Sequence, residues 1–126
     1  GHSEKIARAY LEAVGQKELS GLDDLVAPDV RFVGPAMNMT GKADLIAALQ
    51  RISAVHVRND VKRVFTDGDE ACVIYDFVTD TVGAVPTIEW LEIRDGRIQS
   101  IRLYYDQTPW QRLREELARR AKAGAA

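Results

Sequence analysis

The sequence has one cysteine, two histidines, four prolines and no long apolar run. Because Cys72 stands alone, the chain cannot form an internal disulfide, and we expect a protein of the reducing cytoplasm. No segment approaches the roughly 20 apolar residues of a membrane helix, so no membrane partner is expected. No signal-peptide pattern opens the chain, and residues 1–3 resemble the remnant of an expression tag.

The chain also lacks a strong net charge and a group of histidines. Its formal charge of −2 provides no basic field to neutralise phosphates, so we expect no nucleic-acid partner. If His2 belongs to the tag remnant, His56 is the only native histidine of the chain. This excludes a multi-histidine metal site, and we expect neither a metal nor a cofactor.

What the chain does have is the composition of a single domain, which we place at residues 1–126. It contains 46% hydrophobic and 29% charged residues. The segment "SEKIARAYLEAV" has helical periodicity, with Ser3 as a plausible N-cap and an end near Gly15. A short helix over "SGLDDLVAPD" should stop near Pro28, and a short strand, "DVRFVG", and a helix, "KADLIAALQRI", should follow.

The second half of the chain changes to a two-residue period. Four β-rich runs are joined by short glycine-containing segments, which predicts an antiparallel meander. These runs are "VHVRNDVKRVFT", "EACVIYDFVTDT", "PTIEWLEIR" and "RIQSIRLYYD". Residues 107–126 then predict a helix with Thr108 at its N-cap and Trp110, Leu113 and Leu117 on one side. Helices followed by antiparallel strands indicate the α+β class.

This order, with "LVAPDVRFVGP" early and "IRDGRIQSIRLYYD" late, resembles the nuclear transport factor 2-like superfamily over about residues 4–106. The superfamily includes ketosteroid isomerases, SnoaL-like polyketide cyclases and limonene epoxide hydrolases. The resemblance implies a cone-shaped roll, in which a strongly curved, mainly antiparallel sheet wraps around the N-terminal helices. It also implies that the open end of the cone holds a small apolar molecule. The C-terminal helix lies outside the resemblance.

The comparison with ketosteroid isomerases identifies candidate catalytic residues. "ARAYLEAV" places Tyr10 where that family has its oxyanion-hole tyrosine, and "TIEWLEI" places Glu89 where it has its oxyanion-hole aspartic acid. Ketosteroid isomerase is itself a known case of a neutral carboxylic acid that donates a hydrogen bond beside a tyrosine. In "RFVGPAM", however, Gly34 occupies the place of the family's proton-abstracting aspartate. Tyr10 has a second interpretation, as a core residue only.

The comparison with limonene epoxide hydrolases is weaker. Leu103 in "RLY" stands where their final strand carries a catalytic aspartate, and Asp76 in "IYDFV" is the position that could match their other carboxylate. If the protein is an enzyme, Asp76 and His56 are the candidates for the missing base. His56 has a second interpretation, as a histidine on the rim or the surface.

The face of the sheet on which Glu89 lies depends on the register of the hairpin at "RDG". If Asp95 and Gly96 form a two-residue turn, Arg94 opposes Arg97 and Glu89 opposes Arg102 in an ordinary ion pair. If Arg94 joins a three-residue loop, Glu89 opposes Ile101 and faces the pocket. The family comparison favours the pocket.

The loop at "VGAV" raises the same question for Asp76, and we expect its neighbours Tyr75 and Phe77 to point inward instead. Met37, in "AMNMTG", belongs to a flexible lip or fills a gap in the core. The candidate ligand-binding residues are Phe32, Gly34, Met37, Tyr75, Phe77, Leu91, Ile101, Leu103 and Tyr105.

Two functions remain open from the sequence. In the first, the protein is an isomerase or cyclase that acts on an enolisable carbonyl compound, with Tyr10 and Glu89 as oxyanion donors. In the second, it is a non-catalytic binding or dimerisation module without the family base. In either case the apolar residues on both faces of the meander predict a homodimer through the outer face of the sheet.

Overall fold

Helices precede and follow a six-stranded sheet in the computed structural model, which describes residues 1–125. In chain order the elements are helix α1 (His2–Gly15), a 3₁₀ helix (Leu19–Asp24), strands β1 (Val26–Gly34) and β2 (Met37–Thr40), helix α2 (Lys42–Ile52), strands β3 (His56–Asp67), β4 (Glu70–Thr79), β5 (Gly83–Arg94) and β6 (Arg97–Tyr105), and helix α3 (Thr108–Ala125).

The sheet has the strand order β2-β1-β6-β5-β4-β3. Strands β1 and β6 pair in parallel, and the other neighbours pair antiparallel, so the predicted meander forms strands β3 to β6. The sheet is curved and unclosed, and its concave face packs against the helices through buried side chains such as Leu11, Leu45 and Leu113. The α+β class and the curved roll are therefore confirmed.

The start of the chain differs from the prediction in its caps and boundaries. Ser3 lies inside α1 instead of capping it, and its hydroxyl donates to the carbonyl oxygen of Gly68 at 2.7 Å. The short helix ends at Asp24, before Val26 begins β1. Pro28 therefore lies within a strand, where the β1–β6 register is interrupted between Val26 and Arg31. Proline fits there because it cannot donate to a regular ladder.

Strand β2 was not predicted. It forms a hairpin with β1 in which Gly34 pairs with Met37, so Pro35 and Ala36 make the turn. Met37 is therefore fixed in a strand rather than in a flexible lip. The residues of β2 do alternate between apolar and polar, but a strand of four residues is too short for this period to give a clear signal.

Helix α3 packs on the open side of the sheet through Leu113, which is fully buried, with Trp110 and Leu117 partly buried beside it. Its first N–H group, that of Thr108, donates to Asp106 Oδ1 at 2.9 Å, so Asp106 takes the capping role that we predicted for Thr108. Farther along, Arg120 bonds to the Ala54 carbonyl and to Asp80. None of the described helices combines the length and the apolar character needed to cross a membrane.

The convex face of the sheet carries exposed apolar side chains. Phe65, Ile88 and Tyr104 are 57%, 37% and 51% exposed. Between them, Trp90 donates its indole N–H to Glu70 Oε1 at 2.8 Å, and the guanidinium of Arg102 lies 4.7 Å from the Trp90 ring centroid. This face is the one through which we predicted a homodimer, and that assembly stays a prediction.

Candidate functional site

A cavity of about 70 Å³ lies between the concave face of the sheet and the three helices. Pockets for drug-sized ligands begin at roughly 300 Å³. An engineered apolar cavity that holds benzene measures about 150 Å³. A ligand of one ring therefore fits only if side chains of the cavity wall move apart, and a steroid would require a larger rearrangement. Its wall is mostly apolar and aromatic, and Glu89 is the one carboxyl group among the described residues that line it.

Glu89 reaches this cavity through a register that differs from both of our predictions. The turn has two residues, with φ of 54° at Asp95 and 74° at Gly96, and Arg94 pairs with Arg97. A continuous ladder from this turn would place Glu89 opposite Arg102. Instead, Ile93 pairs with Ile98 and Glu92 with Ser100, so Gln99 is an extra residue.

This β-bulge reverses the alternation of β6 beyond Gln99. Ile98 and Ile101 both face the core although three positions separate them, and both are fully buried. Glu89 consequently pairs with Leu103 rather than with Ile101 or Arg102, and it is only 4% exposed. Glu89 therefore faces the cavity, as the regular alternation of β5 requires, and the bulge in β6, not a longer turn, places Leu103 opposite it.

The two oxygens of the Glu89 carboxyl group have different surroundings. The hydroxyl of Tyr75 donates a hydrogen bond to Oε2. Oε1 is buried and has no hydrogen-bond partner within residues 1–125. Burial raises the pKa of Glu89 to about 7, and the bond from Tyr75 opposes part of that rise. Near neutral pH this carboxyl group therefore exists in both its protonated and its ionised form.

Three tyrosines surround the carboxyl group in the cavity: Tyr10 from α1, Tyr75 from β4 and Tyr105 from β6. Burial is the main cause that raises the pKa of each phenol, and the nearby charge of Glu89 raises the pKa of Tyr10 and Tyr75 further. All three therefore keep their protons at physiological pH and can act as hydrogen-bond donors.

Six of the nine predicted ligand-binding residues line the cavity: Phe32, Met37, Tyr75, Phe77, Leu103 and Tyr105. Leu91 and Ile101 do not line it, because they lie two pairs farther along β5 and β6 from Glu89 and Leu103, where they are fully buried in the core. Gly34 lies beside the cavity. A Cβ atom there would come within 3.6 Å of Leu103 Cβ and 3.7 Å of Tyr105 Oη, which are ordinary contact distances.

The two candidate bases lie outside the cavity lining. Asp76 projects from the opposite face because Tyr75 and Phe77 point inward, as we expected, and its carboxylate lies 3.5 Å from Lys62 Nζ. His56 is not a rim or surface residue, since it is 2% exposed. Its ring stacks on Phe77 at 4.1 Å, its Nε2 lies 2.8 Å from Asn59 Oδ1, and burial lowers its pKa.

Sequence reasoning missed six residues of the cavity wall, five from the helices and one from the sheet. They are Val14 in α1, Ala48, Leu49 and Ile52 in α2, Thr87 in β5 and Trp110 in α3. The apolar stripe of α2 was visible in its periodicity, but the strand it would cover could not be read from that pattern. Trp110 lies on the predicted apolar side of α3, yet nothing in the sequence indicated that this side faces the cavity.

The sequence matches the family model described as SnoaL-like domain over residues 7–101. That range covers the cavity residues of α1, α2 and strands β1, β2, β4 and β5, and it ends before Leu103, Tyr105 and Trp110. No curated protein matches the chain.

Several solved structures have the same fold. A protein from Kribbella flavida is 28% identical, with a TM-score of 0.81 over 89% of this chain and 93% of its own. An NTF2-like protein from Cytophaga hutchinsonii is 16% identical, with a TM-score of 0.77 over 86% of this chain and 94% of its own. A protein with a ketosteroid isomerase-like fold from Catenulispora acidiphila, in complex with trimethylamine, is 24% identical, with a TM-score of 0.69 over 80% and 85%.

Proposed function

Because the chain belongs to the SnoaL-like domain family, we propose that its cavity binds a compact, mostly apolar molecule through a carbonyl or phenolic oxygen. Protonated Glu89 and Tyr10 donate hydrogen bonds to that oxygen. The observation that carries this proposal is the buried, unpartnered Oε1 of Glu89 in an apolar cavity.

The hydrogen bond from Tyr75 determines which oxygen of Glu89 is free to act. Oε2 accepts from the Tyr75 hydroxyl, so the proton of the neutral carboxyl group is best placed on Oε1, where it can reach a ligand. A buried polar group without a partner costs roughly 1–3 kcal/mol, and a ligand oxygen at Oε1 would remove that cost. Tyr10 supplies the second donor because its raised pKa keeps its proton in place.

The same two donors suit an isomerase or cyclase. Removal of a proton beside a carbonyl group leaves negative charge on its oxygen, and donors already in place away from water stabilise that charge. Such a reaction also requires a proton acceptor. Gly34 has no side chain to accept it, and Asp76 and His56 lie outside the cavity lining. Gly34 therefore favours a second candidate function, in which the protein binds its ligand without converting it.

The experiment that tests the binding site is a titration of a planar phenol, 4-ethylphenol, into the wild type, Glu89→Gln and Glu89→Ala. Glu89→Ala should weaken binding by about 1–3 kcal/mol, whereas Glu89→Gln should retain most of the affinity because an amide also donates. An affinity that is unchanged in Glu89→Ala would refute the proposed site.

A second measurement separates the catalytic candidate from the binding candidate. Cyclohex-3-enone is a compact β,γ-unsaturated ketone whose isomerisation can be followed by ultraviolet absorbance. Turnover by the wild type that disappears in Glu89→Ala and falls in Tyr10→Phe supports an isomerase. Binding of the ketone without turnover supports a binding protein.

The ionised form of Glu89 would favour a different ligand. A carboxylate among aromatic rings attracts a small ammonium ion through charge and cation–π contacts. The Catenulispora acidiphila relative is in complex with trimethylamine. Since the pKa of Glu89 is about 7, the pH dependence of binding distinguishes a phenol from an amine, as described in the Discussion.

A further inference from the structure

Trp110 closes the cavity from the first turns of α3. Its ring stacks on Phe77 with a centroid distance of 5.6 Å and lies tilted against Tyr105 at 5.1 Å. One turn later Leu113 is fully buried and holds the helix in place. The indole is thus a fixed part of the cavity wall, in a helix that lies beyond residues 7–101.

The indole N–H of Trp110 has no acceptor among residues 1–125. Nε1 is buried, and no described residue offers it a hydrogen bond. An indole N–H can only donate, and a buried tryptophan usually finds a partner for it. Glu89 Oε1 is the other buried side-chain atom without a partner in the described part of the chain. Both residues line the same cavity.

We propose that Trp110 is a second ligand-binding group, whose indole N–H donates to a second oxygen of the ligand at the end away from Glu89. The ligand class is then a compact ring with two oxygen functions at opposite ends. This inference rests on the proposed function, because Glu89 must hold the first oxygen. It adds a specificity-determining residue that neither Glu89 nor Tyr10 supplies.

The strand geometry supports two separate polar ends. Glu89 pairs with Leu103, and the ring of Trp110 contacts Tyr105, two residues farther along β6. Two residues of a strand span roughly 7 Å, so the β6 positions beside which the two groups lie are separated along the cavity wall. A para-disubstituted ring places its substituents at opposite ends in the same way.

The test compares 4-hydroxyacetophenone with 4-ethylphenol. The two molecules have nearly the same shape, but only the first carries an acceptor opposite its hydroxyl group. We expect the wild type to bind 4-hydroxyacetophenone about five- to tenfold more tightly, the effect of one net hydrogen bond. Trp110→Phe keeps an aromatic ring but removes the N–H, so the ratio of the two dissociation constants should fall to about one.

The ratio of the two dissociation constants distinguishes a hydrogen bond from Trp110 from a packing contact with its ring. If Trp110→Phe weakens both ligands equally and the ratio is retained, Trp110 is only part of the packing and the inference is overturned. A wild type that does not discriminate between the two ligands overturns it as well, without any variant.

Glu89→Ala distinguishes this failure from a failure of the proposed function. If Glu89→Ala weakens both phenols but Trp110→Phe leaves the ratio unchanged, the proposed site stands and only the role of Trp110 is wrong. If neither phenol binds, or if Glu89→Ala changes nothing, both proposals are overturned.

Discussion

Glu89 lies opposite Leu103, although the turn that joins their strands would place it opposite Arg102 in a regular ladder. The alternation of β5 sets the face of the carboxyl group, and the single extra residue at Gln99 decides that Leu103, and not Arg102, shares that face. Arg102 is left on the convex face, where it covers the ring of Trp90. The buried acid and the surface cation are therefore separated by a local irregularity of β6, and this relationship can be tested.

Deletion of Gln99 should keep Glu89 in the cavity. The deletion makes Ser100 follow Ile98, so the pairs that the bulge now sets, Glu92 with Ser100 and Glu89 with Leu103, become part of a regular ladder. We expect a loss of about 1–2 kcal/mol in the free energy of unfolding, since Gln99 also donates to the Arg94 carbonyl. Chemical denaturation and 4-ethylphenol titration check this outcome.

Deletion of Arg102 is the matched control. It turns Leu103 and Tyr105 to the other face, because a one-residue shift reverses every later side chain of a strand. This variant should not fold. Equal damage from the two deletions would contradict the role assigned to the bulge.

The free energy of unfolding should depend on pH because of Glu89. Its pKa rises from 4.5 to about 7 on folding, so the folded state holds more protons between these values. The contribution of Glu89 to the free energy of unfolding is therefore fully present below about pH 4.5. It is lost as the pH rises to about 7, and the loss is roughly 3 kcal/mol at most.

Glu89→Gln should remove this dependence. The measurement is the difference in the free energy of unfolding between wild type and variant at several pH values. His56, whose pKa is lowered by burial, contributes with the opposite sign, but it is present in both proteins and cancels in the difference. A difference that does not change between pH 4.5 and 7 would show that Glu89 is not desolvated.

Ligand binding should depend on pH with a sign that reveals the ligand class. If protonated Glu89 donates to a phenol, affinity for 4-ethylphenol stays constant below about pH 7 and falls above it. If ionised Glu89 pairs with an ammonium ion, affinity for trimethylamine rises up to about pH 7. Calorimetric titrations at pH 5.5 and 8.5 check both, and Glu89→Gln should abolish either trend.

Position 34 should accept a side chain. Gly34 has no positive φ, and a Cβ atom would make only ordinary contacts with Leu103 and Tyr105. Gly34→Ala should therefore raise the free energy of unfolding by about 0.4–1 kcal/mol, because alanine restricts the unfolded chain.

Gly34→Asp should then add a proton acceptor beside the cavity, and we expect it to increase the rate of cyclohex-3-enone isomerisation. Gly34→Asn is the control of nearly equal size without the carboxylate. A rate in Gly34→Asp no higher than that in Gly34→Asn would count against an enzyme-like arrangement of Tyr10 and Glu89.

The apolar convex face should bring two copies of the chain together. Ile88 and Tyr104 are exposed at its centre. An exposed apolar patch of this kind often marks a protein–protein interface. We expect a dimer at micromolar concentration in sedimentation experiments, a monomer after Ile88→Lys, and a dimer after the conservative change Ile88→Val. A wild type that sediments as a monomer would exclude this assembly.

The strands could be predicted closely from the sequence because β3 to β6 are long and because β4 and β5 alternate regularly. The inward direction of Tyr75 and Phe77 was predicted in this way. The bulge at Gln99 could not be predicted, because a two-residue turn and an interrupted ladder leave the same local signal as a longer turn. For the same reason the direction of Glu89 was predicted only through a family resemblance.

The site was less accessible to sequence reasoning than the fold. His56 begins a strand, and its burial depends on the stacking of its ring on Phe77 in the neighbouring strand, which no local pattern reveals. Leu91 and Ile101 lie on the predicted face of the sheet but are buried in the core away from the cavity. Alternation gives the direction of a side chain and not its distance from a cavity. Trp110 required knowledge of where α3 docks.

The docking of α3 gives the protein a binding site made of two separable segments. The acid and its neighbouring tyrosines Tyr10 and Tyr75 lie in the part that matches the SnoaL-like domain, whereas the indole that lines the same cavity comes from a helix beyond it. If Trp110 binds the ligand as we propose, substitutions in that helix should change ligand choice without disturbing the carboxyl group or the sheet that carries it. Transplanting a different terminal helix onto this scaffold would thus be a direct route to new selectivity.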